Sequence, residues 1–298
     1  MTGLFAPLRA EIQALAAAGT IPDAFQYAFV INALICACFI GPILGGVGTM
    51  VVTKRLAFFS QAVGQAALTG VALGIILGEP LTAPYVTLFG FCILFGLVLN
   101  FTKNRTKMST DTLIGVFLSI SMAVGASLLI FVASKINVHI VDQVLFGSIL
   151  TVNDLDMTIL VVISAIVSVL GILRFNRMLM ASFNPQLAHV RGVNVAFLDY
   201  LFILMITVIT VASVKIIGAM LVEALLLIPA AAAARIVTRT IRGFFICTIL
   251  ISTFSCVIGI IAPMLWNLPV PSGGSIVLVA AVFFCLATLT RLFRRQAM

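Results

Sequence analysis

Glu223 is the residue whose type and setting most clearly suggest chemistry. It lies in the run Met220–Leu225, in the middle of a long apolar stretch, and no residue of opposite charge is close to it in the sequence. An ionisable side chain at membrane depth is costly, which makes it a functional candidate by default. The alternative is a protonated glutamic acid that hydrogen-bonds to a carbonyl or hydroxyl group on another helix.

Gln61 and Gln65 form a second candidate site in another apolar stretch. They are four residues apart, so a helix would place both amides on one face. Gly64 beside them would let another backbone come close. Two amides on one face can line a polar path or bind a ligand, but glutamine side chains also join membrane helices through hydrogen bonds. The residues alone leave both interpretations open.

His139 and Asp142 belong to a third group, which also contains Glu79, Asp154 and Asp156. These residues lie in or beside the connections between apolar stretches. Carboxylates and imidazole at the mouth of a channel attract divalent cations. Ordinary solvated loop charge is the simpler interpretation, and we favour it.

The composition indicates what must position these residues. Of the 298 residues, 62% are hydrophobic and 9% are charged, whereas soluble domains carry about 25% charged residues. So much apolar surface requires lipid as its solvent, and we predict an all-α, polytopic bundle of about nine spanning helices. The predicted spans are Phe25–Val52, Phe58–Leu77, Ala83–Phe101, Thr112–Ala133, Met157–Leu173, Phe197–Ala212, Ile216–Ile236, Phe244–Leu265 and Gly274–Leu292.

The motifs of several enzyme classes are missing from the sequence. It has no G-x-x-x-x-G-K-[ST] phosphate loop, no H-E-x-x-H pair and no Ser-His-Asp signature. The six cysteines lie in apolar runs without C-x-x-C spacing, so we interpret them as small core residues. We therefore predict a transport protein that is not an enzyme and binds no covalent cofactor. Active transport would draw its energy from an ion gradient or from another polypeptide.

The distribution of Lys and Arg predicts the orientation. Fourteen of the 17 basic residues fall on one side of the predicted bundle, which the positive-inside rule identifies as cytoplasmic. Only Arg9, Lys135 and Lys215 fall on the other side. The N-terminus is therefore predicted outside and the C-terminus inside. The net charge of +8 is then a topology signal and not a nucleic-acid-binding patch.

Two segments on the outer side lie apart from the spans. Residues 1–22 contain the Ala-rich stretch Leu4–Ala18, which we predict as a helix on the membrane surface, while residues 23–298 form the bundle. His139–Thr151 is apolar but too short to span, so we predict a re-entrant or interfacial helix there.

On the inner side, Met178–Val195 is the longest predicted connection. Its Asn184-Pro185 pair favours turn initiation, and we predict a short helix along the membrane face that ends near Gly192. Asp199 follows near the start of the next helix, where a role as cap or dipole partner explains it.

Five stretches of the chain, in the same order, resemble the ABC-3 permeases of zinc, manganese and iron importers. The family patterns concerned are S-D-A-x-S-H-A, D-x-x-I-G-x, L-F-G-S-I-L, F-D-P-x-x-A-x-x-x-G and V-G-x-L-L-V-x-A-L-L-x-I-P-A-A-x-A-R. The corresponding stretches are Val51–Gly78, Asp111–Val116, Leu145–Leu150, Phe183–Val193 and Lys215–Arg235.

The resemblance implies a permease in the cytoplasmic (inner) membrane of a bacterium, working as a homodimer or with a related second permease. Such a permease receives a divalent metal ion from an extracytoplasmic binding protein and is driven by a cytoplasmic ATP-binding subunit. The segment containing Asn184, Pro185, Gln186 and Gly192 would be the coupling segment that docks on the ATPase. Closure of the ATPases would then switch the bundle between outward-facing and inward-facing states.

The chain departs from the family pattern where metal binding is concerned. Gln61 stands where members usually carry Asp, and Gln65 where they usually carry His. Glu223 adds a carboxylate where many members are uncharged. We hypothesise that these three residues share one translocation path, with Glu223, Asp142 and His139 as candidate metal ligands. An oxygen-rich lining suits Mn²⁺ or Fe²⁺ better than Zn²⁺.

A stand-alone secondary transporter that uses Glu223 as a relay is the alternative function. No pair of symmetric broken helices indicates the inverted halves that such transporters commonly have.

Overall fold

The computed structural model describes residues 6–17, 26–80, 84–106, 108–133, 154–237, 240–265 and 272–296. Within these ranges the secondary-structure elements are α-helices, in agreement with the predicted all-α class. The helices are α1 (Ala6–Ala17), α2 (Ala28–Thr53), α3 (Phe59–Ile76), α4 (Tyr85–Arg105), α5 (Thr110–Ala133), α6 (Asp154–Phe183), α7 (Pro185–Val190), α8 (Val195–Ile217), α9 (Ala219–Ile236), α10 (Ile241–Leu265) and α11 (Ser272–Gln296).

Nine helices of the described chain are long and apolar enough to cross a membrane, which confirms the predicted number. They are α2 to α6 and α8 to α11. The predicted N-terminal helix is present as α1, with 12 residues, and the predicted short helix before Gly192 is present as α7, with 6 residues. Both are shorter than the roughly 20 residues that a spanning helix requires.

Two predicted boundaries are wrong. Helix α6 continues ten residues beyond Leu173 to Phe183, so the connection to α8 begins at Asn184 and not at Met178. The sequence between Leu173 and Asn184 contains no helix breaker, and a helix can continue past the apolar window that marks its span.

The second wrong boundary lies between α8 and α9. The sequence predicted an interruption at Ser213–Lys215, but those residues are helical and α8 runs to Ile217. Gly218 ends the helix with φ +85° and ψ 155°, a backbone conformation that only glycine adopts without strain. The break is therefore a single glycine and not a polar loop.

The described residues form two compact units. Unit 1 contains the described parts of Met1–Thr49, Gly147–Ser164 and Ala224–Met298. Unit 2 contains the described parts of Met50–Phe146 and Ala165–Glu223. Gln61, Gln65 and Glu223 all belong to unit 2.

Close helix packing in unit 1 depends on glycines. A Cβ atom at Gly41 would lie 2.8 Å from Thr253 Cα, and one at Gly45 would lie 3.0 Å from Ile249 Cα. Helices α2 and α10 therefore approach at backbone distance, as small residues allow in membrane helices.

In unit 2, α3 packs against α4, α5 and α8. Helices α4 and α8 are in contact and run antiparallel. Lys215 Nζ near the end of α8 lies 3.6 Å from the ring centroid of Tyr85 at the start of α4. Near the opposite ends of the two helices, Lys103 and Asp199 lie within electrostatic reach of each other. The unit thus has one end that carries Lys103 and Asp199 and another that carries Tyr85 and Lys215.

Candidate translocation site

Gln61 and Gln65 occupy a special position on α3. Every residue of this helix from Phe59 to Ala72 is buried except these two, which are half-buried. The two amides are at positions i and i+4, so they lie along one narrow strip of a helix that is otherwise buried. The predicted common face is therefore present.

Gly64 brings α3 against the start of α9. A Cβ atom at Gly64 would lie 3.1 Å from the Cβ of Ala219. Gln61 is one helical turn from Gly64 and Gln65 is the next residue, while Glu223 follows Ala219 by one turn on α9. All three predicted path residues thus lie within a turn of one close contact between two helices.

Glu223 is half-buried, and in the described part of the chain it has no hydrogen bond or ion pair. The alternative interpretation, a glutamic acid held by another helix, required such a bond. Gln61 and Gln65 likewise have no hydrogen bond among the described residues, which disfavours their role as helix-joining amides. The side chains are available to a ligand, and their common path stays a prediction.

The acidic residues of the third group have structural partners where the structure describes them. Asp154 accepts an ion-pair hydrogen bond from Arg9, which joins α1 to the start of α6. Glu79 Oε1 accepts hydrogen bonds from the backbone N–H of Thr87, at 3.1 Å, and from its hydroxyl, so Glu79 caps α4. Asp154 and Glu79 are therefore engaged in contacts within the fold and are not simply the solvated loop charges that the sequence favoured.

His139 and Asp142 lie outside the described residues, as does the rest of His139–Thr151. Within the described ranges, no group of three or more His, Cys, Asp or Glu side chains could hold a metal ion. In that part of one chain, these residue types therefore do not supply three or more ligands to a common metal site. Amide oxygens and a single carboxylate remain the available ligands near Gly64.

The predicted coupling segment forms a well-defined, exposed turn of helix. Asn184 Oδ1 accepts a hydrogen bond from Leu187 N at 3.0 Å and caps α7, with Pro185 in the first turn. Gly192, with φ +72°, follows the helix and lets the chain turn toward α8. Gln186 is exposed, as are the other residues of α7 except Ala188, which is fully buried.

This segment presents an apolar surface that sequence reasoning missed. Phe183, Leu187 and Val190 are 66%, 46% and 86% exposed and recur at positions i, i+4 and i+7. Leu187 and Val190 are three residues apart and share one side of α7, while Phe183 is the last residue of α6 and is separated from α7 by the non-helical Asn184. The sequence contains these apolar residues, but the connection was predicted to begin at Met178. The residues that directly precede and follow Asn184 were therefore not recognised as the ends of two helices.

Asp199 has a role that differs from the predicted cap. Helix α8 is capped by Asn194, whose Oδ1 accepts a hydrogen bond from Phe197 N at 3.0 Å. Asp199 lies one turn further along and pairs with Lys54, with 2.5 Å between Nζ and Oδ1. Neither expected role fits Asp199, because asparagine already occupies the N-cap position and Asp199 lies beyond the first turn, where a dipole partner would stand. No local signal in the sequence joins Lys54 to Asp199.

These features define a class of protein: a multi-pass membrane permease with half-buried polar side chains inside its helices and a short, exposed helix between two of its spans. The chain belongs to the ABC 3 transport family, whose sequence profile matches residues 26–291. Family membership also fits the absence of a phosphate-binding loop, since a permease of this kind is a transport subunit without its own ATPase domain.

Similar proteins come from several bacteria. The manganese transport system membrane protein MntC of Listeria monocytogenes is 31% identical over 264 residues, covering 89% of this chain and 91% of the relative. The high-affinity zinc uptake system membrane protein ZnuB of Haemophilus influenzae is 28% identical over 273 residues, covering 91% and 99%. The solved structure of PsaBC from Streptococcus pneumoniae in complex with Fab has 28% identity and a TM-score of 0.76, covering 93% of this chain and 94% of that chain.

Proposed function

We propose that the chain is the permease subunit of an ATP-binding-cassette importer that carries a divalent transition metal ion, with Mn²⁺ as the leading cargo. The match to the ABC 3 transport family over nearly the whole chain is the observation that carries this proposal. The relative at 31% identity is named for manganese transport, and one at 28% is named for zinc uptake. Amide and carboxylate oxygens near Gly64 favour Mn²⁺ or Fe²⁺ over Zn²⁺.

The proposed cargo path passes Gln61, Gln65 and Glu223. These side chains are half-buried, and each lies within one helical turn of the Gly64–Ala219 contact. A single chain supplies one carboxylate and two amides there, which is a small ligand set for a divalent ion. A second permease copy that contributes the same three residues would complete the coordination sphere. His139 and Asp142 remain candidates for an outer binding position.

The proposed docking surface for the ATPase consists of Phe183, Leu187 and Val190, held by the cap at Asn184. An exposed apolar side chain on a short, rigid helix is suited to fill a pocket on a partner protein. The basic end of unit 2, with Lys54 and Lys103, would face the cytoplasm, which agrees with the positive-inside rule. The N-terminus would then be outside and the C-terminus inside, and an extracytoplasmic binding protein would deliver the cargo.

Transport by a reconstituted complex tests the proposal. The permease, its ATP-binding subunit and its metal-binding protein are placed in vesicles, and uptake of Mn²⁺, Fe²⁺ and Zn²⁺ is measured with ATP and with a non-hydrolysable analogue. We expect uptake only with hydrolysable ATP, and faster uptake of Mn²⁺ than of Zn²⁺. ATP-independent uptake that follows an imposed ion gradient would instead establish the secondary transporter.

A further inference from the structure

We propose that the ion pair between Lys54 and Asp199 connects the docking helix α7 to the cargo residues of α3, so that movement of one displaces the other. This inference rests on the proposed function, because it assigns a positioning role within ATP-driven transport. All the residues involved belong to unit 2. The connection has three parts, and each consists of hydrogen bonds, an ion pair or packed side chains at short distance.

The first part joins α7 to α8. Only residues 191–194 separate the two helices, and three backbone hydrogen bonds hold the start of this connection. Arg191 N donates to Leu187 O at 3.2 Å, and Val193 N donates to Ala188 O at 3.0 Å. Ala188 is fully buried, and α7 packs against α8. A force on α7 therefore reaches the first turns of α8 without a flexible linker between them.

The second part joins α8 to the end of α2. Lys54 Nζ lies 2.5 Å from Asp199 Oδ1 and 5.5 Å from the ring centroid of Phe202. The Lys54 ammonium group thus interacts with side chains on two successive turns of α8. The side chains are only 9% and 25% exposed, and a charge in such a partly buried position is destabilised when it loses its partner. Such a pair resists separation far more than a surface ion pair does.

The third part joins Lys54 to Gln61. Lys54 N donates to Met50 O at 2.9 Å, and Leu56 N donates to Val51 O at 3.0 Å, so the end of α2 is closed by its own backbone. Phe59 N donates to Leu56 O at 3.1 Å, and both side chains are buried. Gln61 is two residues beyond Phe59. Displacement of Lys54 is therefore transmitted to the strip that carries Gln61 and Gln65.

Lys103 on α4 also lies within electrostatic reach of Asp199 and Lys54. Asp199 is therefore within electrostatic reach of two ammonium groups, and a lysine placed at position 199 would be repelled by Lys103. For this reason, exchanging the charges of Lys54 and Asp199 would not restore the ion pair without a new repulsion. The conservative variant Lys54→Arg, which keeps the charge and can reach the same carboxylate, is the suitable rescue.

The experiment measures ATP molecules hydrolysed per Mn²⁺ ion taken up by the reconstituted complex. The variants are Lys54→Met and Asp199→Asn, with Lys54→Arg as the rescue. The matched controls are Arg9→Gln and Asp154→Asn, which break an ion pair in unit 1. We expect the first two variants to raise the ratio about fivefold or more, the rescue to lie close to the wild type, and the controls to leave it unchanged.

Two results would overturn the proposed connection. One is an unchanged ratio in assembled complexes of Lys54→Met and Asp199→Asn. The other is loss of assembly in both variants, because a pair required only for folding is not a connection. A wild-type complex that takes up no Mn²⁺ with ATP would overturn the proposed function instead. The two failures are therefore distinguishable in one set of measurements.

Discussion

Gly64 lies against Ala219 where the helix that carries Gln61 and Gln65 meets the start of the helix that carries Glu223. A Cβ atom at Gly64 would lie 3.1 Å from Ala219 Cβ, a separation that is tight but not impossible for two methyl groups. The absence of a side chain at position 64 thus allows the two helices to approach closely beside the proposed cargo residues.

The variant Gly64→Val should disturb both the packing and the transport activity. A branched side chain at this contact overpacks the interface, which typically costs about 1–3 kcal/mol. Thermal unfolding in detergent and Mn²⁺ uptake measure the two effects. Gly90→Val on α4 is the matched control, since a Cβ at Gly90 meets nothing within 4 Å. Equal behaviour of the two variants would contradict the assigned contact.

Removal of the carboxylate in Glu223→Gln should slow Mn²⁺ uptake by roughly tenfold or more, as loss of groups around a metal typically does. The variant keeps the size of the side chain, so its unfolding temperature should change little. Glu11→Gln, on an exposed position of α1, serves as the matched control. Uptake at the wild-type rate in Glu223→Gln would exclude this residue from the cargo path.

The metal preference should depend on Gln61 and Gln65. The double variant Gln61→Asp, Gln65→His introduces the residues that the resembling permeases usually carry at these positions. Imidazole is a better ligand for Zn²⁺ than an amide is, so the ratio of Zn²⁺ to Mn²⁺ uptake should rise. Competition between the two ions in one uptake assay gives this ratio directly. A ratio that stays constant would place both residues outside the path.

Sequence patterns predicted the nine spans because apolar length alone is sufficient to define them. They also predicted that Gln61 and Gln65 share a face, since helical periodicity fixes that relation. The ion pair between Lys54 and Asp199 could not be predicted, because the two residues are 145 positions apart in the sequence and only the fold brings them together. The close approach at Gly64 was predicted, but its partner Ala219 was not, because nothing in the local sequence joins the two residues.

The docking surface can be tested on α7 itself. Leu187→Asp and Val190→Asp each place a charge on an exposed apolar position, so the permease should fold normally. Affinity for the ATP-binding subunit should fall by about 30-fold if these residues fill a pocket on it. Co-purification and ATPase stimulation measure the effect. His189→Asp, on the same exposed helix, is the control. Unchanged association of Leu187→Asp and Val190→Asp would contradict docking through this surface.

The turn that follows the proposed docking helix α7 depends on Gly192, whose φ of +72° lies in the left-handed region. A Cβ there meets nothing within 4 Å, so any effect of substitution comes from backbone strain and not from a clash. Gly192→Val should therefore cost about 1–2 kcal/mol locally and reorient α7, whereas Gly192→Asn should be tolerated because asparagine adopts this conformation more readily. We expect the valine variant to lose ATPase stimulation while Mn²⁺ binding to the permease persists. If valine and asparagine behave alike, the left-handed turn is not what orients the docking helix.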